Sequence, residues 1–89
     1  MPPRTDTPCD HHQALTLAAQ GNWDAAHKLA QVHDDLLSCQ IHGYLHRIEG
    51  DLSNAGYWYR RGGLQALPAN TLPEEAARLQ ALAGAGTPR

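Results

Sequence analysis

A six-residue phrase occurs twice in this chain. Gly21-Asn22-Trp23-Asp24-Ala25-Ala26 returns 29 residues later as Gly50-Asp51-Leu52-Ser53-Asn54-Ala55. Each copy combines a helix stop, a short polar turn and a helix start. Glycine tolerates the left-handed conformation found just past a helix C-terminus. Asn and Asp accept hydrogen bonds from the exposed N–H groups of a new first turn. Two copies at a fixed offset predict a repeated helix–turn–helix unit.

Composition agrees with helices. Ala and Leu dominate, Phe is absent, and the bulky residues are Trp23, Trp58, Tyr44, Tyr57 and Tyr59 together with a single Met. Ala and Leu lose little entropy in a helix, and no stretch alternates apolar and polar for long. The expected fold class is all-α. With 89 residues the chain makes one small domain, burying roughly 60–65% of the surface its unfolded form exposes. A net charge of −2 argues against general nucleic-acid binding, which needs a concentrated basic surface. No apolar run reaches the length of a membrane span, and Met1-Pro2-Pro3-Arg4 lacks the apolar core of a signal peptide. The expected location is the cytoplasm, with Cys9 and Cys39 as reduced thiols.

Five helices are predicted. Residues 1–9, with three prolines, are expected to form a loose tail. Asp10 caps a first helix reaching about Gln20, with Leu15, Ala18 and Ala19 buried. A second helix runs from Trp23 or Asp24 to about His33 on an Ala26, Leu29 and Ala30 stripe. Asp34 or Asp35 caps the third, whose Leu37, Ile41, Tyr44, Leu45 and Ile48 recur at three-four spacing. Ser53 or Asp51 caps a fourth helix from about Asn54 to Arg61, and Gly62-Gly63 breaks it. Thr71 and Glu74 form a capping-box pattern with Pro73 in the first turn, opening a fifth helix anchored by Leu79 and Leu82. The domain spans 10–83, and 84–89 should fray.

The phrase Gly-Asn/Asp-Trp/Leu-x-x-Ala resembles the turn between the paired helices of a tetratricopeptide repeat. Gly43 matches the small residue where such helices approach closely, and Tyr59 matches the aromatic that follows the turn alanine. The resemblance covers about residues 11–63. The spacing of 29 departs from the usual ~34, and Ala30 stands where an aromatic is typical. It implies two antiparallel hairpins plus a C-terminal capping helix, and a role in protein or peptide binding. A narrower run, Tyr44-Leu45-His46-Arg47-Ile48-Glu49-Gly50-Asp51 followed by Asn54-Ala55 and Tyr57-Trp58-Tyr59-Arg60-Arg61, resembles a small bacterial family of helical proteins that carries no assigned activity.

Two clusters are chemical candidates. On the third helix Asp35, Cys39, His42 and His46 fall within roughly 60° of one another at 100° per residue. His42 and His46, four apart, have the spacing by which two imidazoles on one helix share a metal. Cys39 and Asp35 complete a mixed N/S/O set for which zinc is the first choice. The same face also suits a packed polar seam between helices, and that is the favoured expectation. His11 and His12 are expected to be incidental. His27 and His33 do not share a helical face. The second cluster is Tyr57-Trp58-Tyr59-Arg60-Arg61, whose consecutive rings cannot all point inward. With Arg47 nearby it suits an acidic peptide or a planar ligand. No arrangement for nucleophilic catalysis and no phosphate-binding loop is evident.

The leading functional expectation is a protein- or peptide-binding module without catalytic activity, acting through Tyr44, Arg47, Trp58 and Arg61, with no cofactor. The alternatives are a zinc-type metal-binding protein using Cys39, His42 and His46, and a structural subunit forming a homodimer through the aromatic surface. Neither nucleic acid nor membrane is an expected partner.

Overall fold

A computed structural model describes residues 9–85 of the chain. These form five helices: α1 (His11–Ala19), α2 (Trp23–Gln31), α3 (Leu36–Ile48), α4 (Leu52–Arg61) and α5 (Leu72–Ala85). No strand occurs among the described residues. The fold is all-α, as composition predicts. α1 packs on α2 and α3 on α4 as two antiparallel hairpins, and α5 lies against α3 and α1. α3 touches every other helix, so it is the central element. No helix among the described residues is long and apolar enough to cross a membrane.

The repeated phrase performs its predicted task. At the end of α1, Gly21 takes φ +79°, and the Gly21 and Asn22 amides donate to the Ala18 and Leu17 carbonyls at 3.0 and 2.9 Å. After α3, Gly50 takes φ +88°, and the Gly50 and Asp51 amides donate to the Arg47 and His46 carbonyls at 3.0 and 2.9 Å. Both close the helix by the same paired bonds. α4 ends in this way as well, at Gly63 and Leu64, so the stop signal is used three times and the full stop-and-start phrase twice.

The helix starts follow their caps. Asp10, Asp35 and Asp51 accept from the amides of Gln13, Ser38 and Asn54. Asp51 rather than Ser53 is therefore the cap, and α4 opens at Leu52. Asn22 makes no side-chain capping bond. Thr71 and Glu74 form the reciprocal capping box, at 2.9 and 3.2 Å. α5 continues through Gly84 to Ala85, past the expected fraying point. Residues 1–8 and 86–89 lie outside the described residues, so the expected tails are not at issue except at Cys9, which is buried.

The core is built from five alanines, four larger aliphatics and two tyrosines: Ala14, Leu15, Ala26, Ala30, Ile41, Tyr44, Leu45, Ala55, Tyr59, Leu79 and Ala83. Gly43 makes the α3–α4 contact possible. A Cβ there would stand 2.8 Å from the Tyr59 ring and 3.0 Å from the Ala55 carbonyl oxygen.

α5 is also held by a polar cluster around Glu75, whose side chain is fully buried. One carboxylate oxygen accepts from Tyr59 Oη at 2.7 Å and Arg78 Nη2 at 2.8 Å. The other accepts from Asn70 Nδ2 and Arg78 Nε, both at 2.8 Å. Arg78 also donates to Gln40 Oε1 at 2.9 Å, and Gln40 Nε2 donates to the Gly62 carbonyl at 2.9 Å. Every acceptor site of a buried charge is thereby used, which is the condition for burying one.

Candidate metal centre

Three imidazoles meet between α2 and α3. One ring nitrogen from each of His27, His42 and His46 lies within 4.8 Å of the others. His42 and His46 are buried and His27 is half-buried. Their rings are 4.6 Å (His27–His42), 5.4 Å (His27–His46) and 5.0 Å (His42–His46) apart between centroids. The His42 and His46 rings are nearly parallel, and the His27 ring stands edge-on to both.

The repeat phrase places these side chains. α2 packs beside α3, and Trp23, the third residue of the first copy, anchors the α2 start by donating from Nε1 to the Leu45 carbonyl at 2.7 Å. Trp23 then stacks on His27, one turn along α2, at 4.7 Å and 11°. On the other side Trp58 of α4 stacks on His42 at 3.9 Å and 13°. Two indoles thus hold two of the three imidazoles in plane. The third, His46, is held by Glu49, whose Oε2 lies 2.7 Å from Nδ1.

The surroundings favour the neutral form of two of the three rings, His27 and His42. Burial is the largest influence on His42, followed by His27, His46 and Arg61, and together they lower its pKa from 6.5 to about 4. Burial and then His46 lower His27 as well, against the opposing pull of Glu49 and Asp24. A neutral imidazole is the form that binds metal. Among the described residues, His42 Nδ1 is the one buried side-chain N or O atom without a hydrogen-bond partner. Such an atom costs about 1–3 kcal/mol.

The distances suit a transition-metal ion. Tetrahedral zinc with Zn–N of about 2.0–2.1 Å places its nitrogens roughly 3.3 Å apart. The nitrogens lie within 4.8 Å of one another, so an ion would have to draw the rings together to reach that spacing. A set of imidazoles selects zinc, copper, nickel or cobalt over magnesium and calcium.

The structure brings together only part of the set read from the helical face. His42 and His46 come together, but Cys39 and Asp35 do not join them. A helical wheel hides axial rise: Asp35 and His46 are separated by about 16 Å along the helix at 1.5 Å per residue. Cys39 is buried, and burial pushes its thiol pKa up, which disfavours the thiolate a metal needs. The third imidazole comes from α2. Periodicity within one helix cannot detect a partner on another.

Asp35 belongs to a different cluster. Its carboxylate caps α3, accepts from Ser38 Oγ at 2.6 Å and lies 2.8 Å from His11 Nε2. His11 Nε2 is also 3.1 Å from Ser38 Oγ. The residue types resemble a catalytic triad, but the geometry does not. Asp35 accepts directly from the serine hydroxyl and meets the same imidazole nitrogen as the serine, whereas a triad needs the two partners on opposite nitrogens. His11 is a tether between the starts of α1 and α3.

The proposed partner-binding residues separate. Tyr44 is in the core. Arg47 donates to the Asn70 side chain at 2.9 Å and to its carbonyl. Trp58 is half-buried against His42. Arg61 lies over both the Trp58 and Tyr57 rings, at 5.0 and 5.9 Å. Of the aromatic run, Tyr59 is buried and Tyr57 is 47% exposed, so the rings do point in different directions.

Comparison with known protein families, with curated proteins and with solved structures finds no match for this chain.

Proposed function

We propose that this protein binds one late first-row divalent metal ion, of the zinc class, through His27, His42 and His46. The observation that carries the proposal is the convergence of three imidazole nitrogens from two helices within 4.8 Å. Two further features support it. Burial and mutual repulsion hold His27 and His42 in the deprotonated form, and His42 Nδ1 is buried without a partner. The ligands belong to α2 and α3, so an ion bound there clamps the first hairpin to the second. The setting proposed is the cytoplasm, where Cys9 and Cys39 remain the free thiols they are here.

The test is zinc binding by untagged protein, measured by competition with a chromophoric chelator near neutral pH. The expected result is one ion per chain. His27→Gln, His42→Gln and His46→Gln should each weaken binding by more than the ~10–100-fold typical of losing an outer partner of a ligand. No binding, or binding untouched by all three substitutions, would overturn the proposal.

A second reading has one observation in its favour. Exposed Tyr57 and the guanidinium of Arg61 form an aromatic–basic patch with Trp58, a composition enriched at interfaces. On that reading the module binds an acidic peptide. A Tyr57→Ala, Arg61→Ala double variant that recovers the same partners as the wild type would count against it.

A further inference from the structure

We propose that Glu49 is a positioning residue for the metal centre, fixing the tautomer and orientation of His46; the inference rests on the metal-binding reading above. The Glu49 carboxylate oxygen is 2.7 Å from His46 Nδ1. An ionised carboxylate only accepts, so the nitrogen facing it carries the hydrogen. With the hydrogen kept on Nδ1, the neutral ring has its lone pair on Nε2, and this is the nitrogen the proposal assigns to the ion. A metal-ligating histidine commonly donates its second nitrogen in this way, which sets the ring orientation and raises ligand basicity.

The backbone keeps Glu49 in place. It stands three residues after His46, on the same helical face, and is the C-cap of α3. Its amide donates to the Leu45 carbonyl at 3.3 Å. The following turn is closed by Gly50 at φ +88° and by the Asp51 amide, which donates to the His46 carbonyl at 2.9 Å. The helix stop in the second copy of the repeated phrase therefore also fixes the carboxylate that holds His46. The side chains of His46 and Glu49 are 8% and 40% exposed, so the bond joins a buried ring to a carboxylate at the surface.

His46, Glu49 and Asp51 also bring ligand atoms within 4.8 Å of one another. These groups are already engaged. Asp51 caps α4, accepting from the Asn54 amide at 3.2 Å and from Asn54 Nδ2 at 3.4 Å, and Glu49 holds His46. Glu49 therefore acts on the three-histidine centre through His46.

The experiment compares zinc affinity, by chelator competition, and melting of the zinc-free protein for wild type, Glu49→Ala and Glu49→Gln. Glu49→Ala should weaken zinc binding by about 10–100-fold. Glu49→Gln keeps an oxygen that accepts from Nδ1 and should recover most of the loss. Neither should change the zinc-free melting temperature enough to account for the difference in affinity. Unchanged zinc affinity in Glu49→Ala overturns the role of Glu49, as does equal weakening in both variants in step with lost zinc-free stability. Absence of zinc binding by the wild type refutes the metal-binding reading itself, and is seen before any variant is made.

Discussion

Replacing Glu75 by glutamine alters one atom of a buried carboxylate, and the hydrogen-bond geometry sets the outcome. Each carboxylate oxygen accepts one bond from Arg78, from Nη2 at Oε2 and from Nε at Oε1, each at 2.8 Å. A glutamine must put its NH2 at one of those two positions. The Tyr59 hydroxyl can turn to accept, and the Asn70 amide can flip, but arginine has no acceptor to offer. Either orientation of the introduced amide therefore sets two donors against each other. At least one charge-assisted bond is lost, worth about 1.5–3 kcal/mol. Arg78 is 34% exposed and can turn partly to water, so the expected loss is about 2 kcal/mol. Glu75→Ala removes the charge altogether and leaves Tyr59, Asn70 and Arg78 without it, for an expected loss of about 3–5 kcal/mol. Urea unfolding followed by far-UV circular dichroism reads both values. The acid limb gives a second reading. Burial alone would raise the Glu75 pKa, but bonds from Arg78, Asn70 and Tyr59 outweigh it and lower the pKa below its ordinary 4.5. The unfolded chain therefore takes up this proton first as pH falls. The contribution of Glu75 is complete above the ordinary value of 4.5 and is lost as pH drops through the folded pKa. Glu75→Gln should flatten that limb. A variant within about 0.5 kcal/mol of wild type at neutral pH, the range of ordinary surface substitutions, would refute the reasoning.

Three further outcomes are expected. Gly43→Ala should destabilise the protein by about 1–3 kcal/mol through overpacking, because the added Cβ meets the Ala55 carbonyl at 3.0 Å as well as the Tyr59 ring; a gain in urea midpoint, as helix propensity alone would give, would refute it. His42→Phe should abolish zinc binding yet leave metal-free stability near neutral pH equal or higher. It keeps a ring for Trp58 to stack on and removes a buried unpartnered nitrogen worth about 1–3 kcal/mol; a large loss in urea midpoint would contradict this. Copper(II) should quench tryptophan fluorescence to an endpoint of one ion per chain, since Trp23 and Trp58 stack on two of the three proposed ligands; an unchanged spectrum would count against the site.

Much of the architecture was legible because it is encoded locally. A glycine in the left-handed region followed by an Asn or Asp marks both hairpin turns, and Gly43 marked the close approach of α3 to α4. The same local logic failed where contacts cross between helices. His27 is one turn past Trp23, and only the fold brings it to His42 and His46. Cys39 shares their face on a wheel, one turn from His42, but brings no ligand atom into the cluster, and burial raises its thiol pKa. Glu75 stands in the first turn of α5, where the helix dipole favours any acidic residue, so its position alone does not single it out. Its burial depends on Tyr59, Asn70 and Arg78, which only tertiary structure assembles.

The central claim is that three imidazoles, and no thiolate, hold one ion. X-ray absorption at the zinc edge of the loaded protein tests it most directly. The account predicts nitrogen at about 2.0–2.1 Å with the multiple-scattering pattern of three imidazoles, falling to two in His27→Gln. A sulfur neighbour at about 2.3 Å, which would return Cys39 to the ligand set, or a spectrum of oxygen neighbours alone would contradict it.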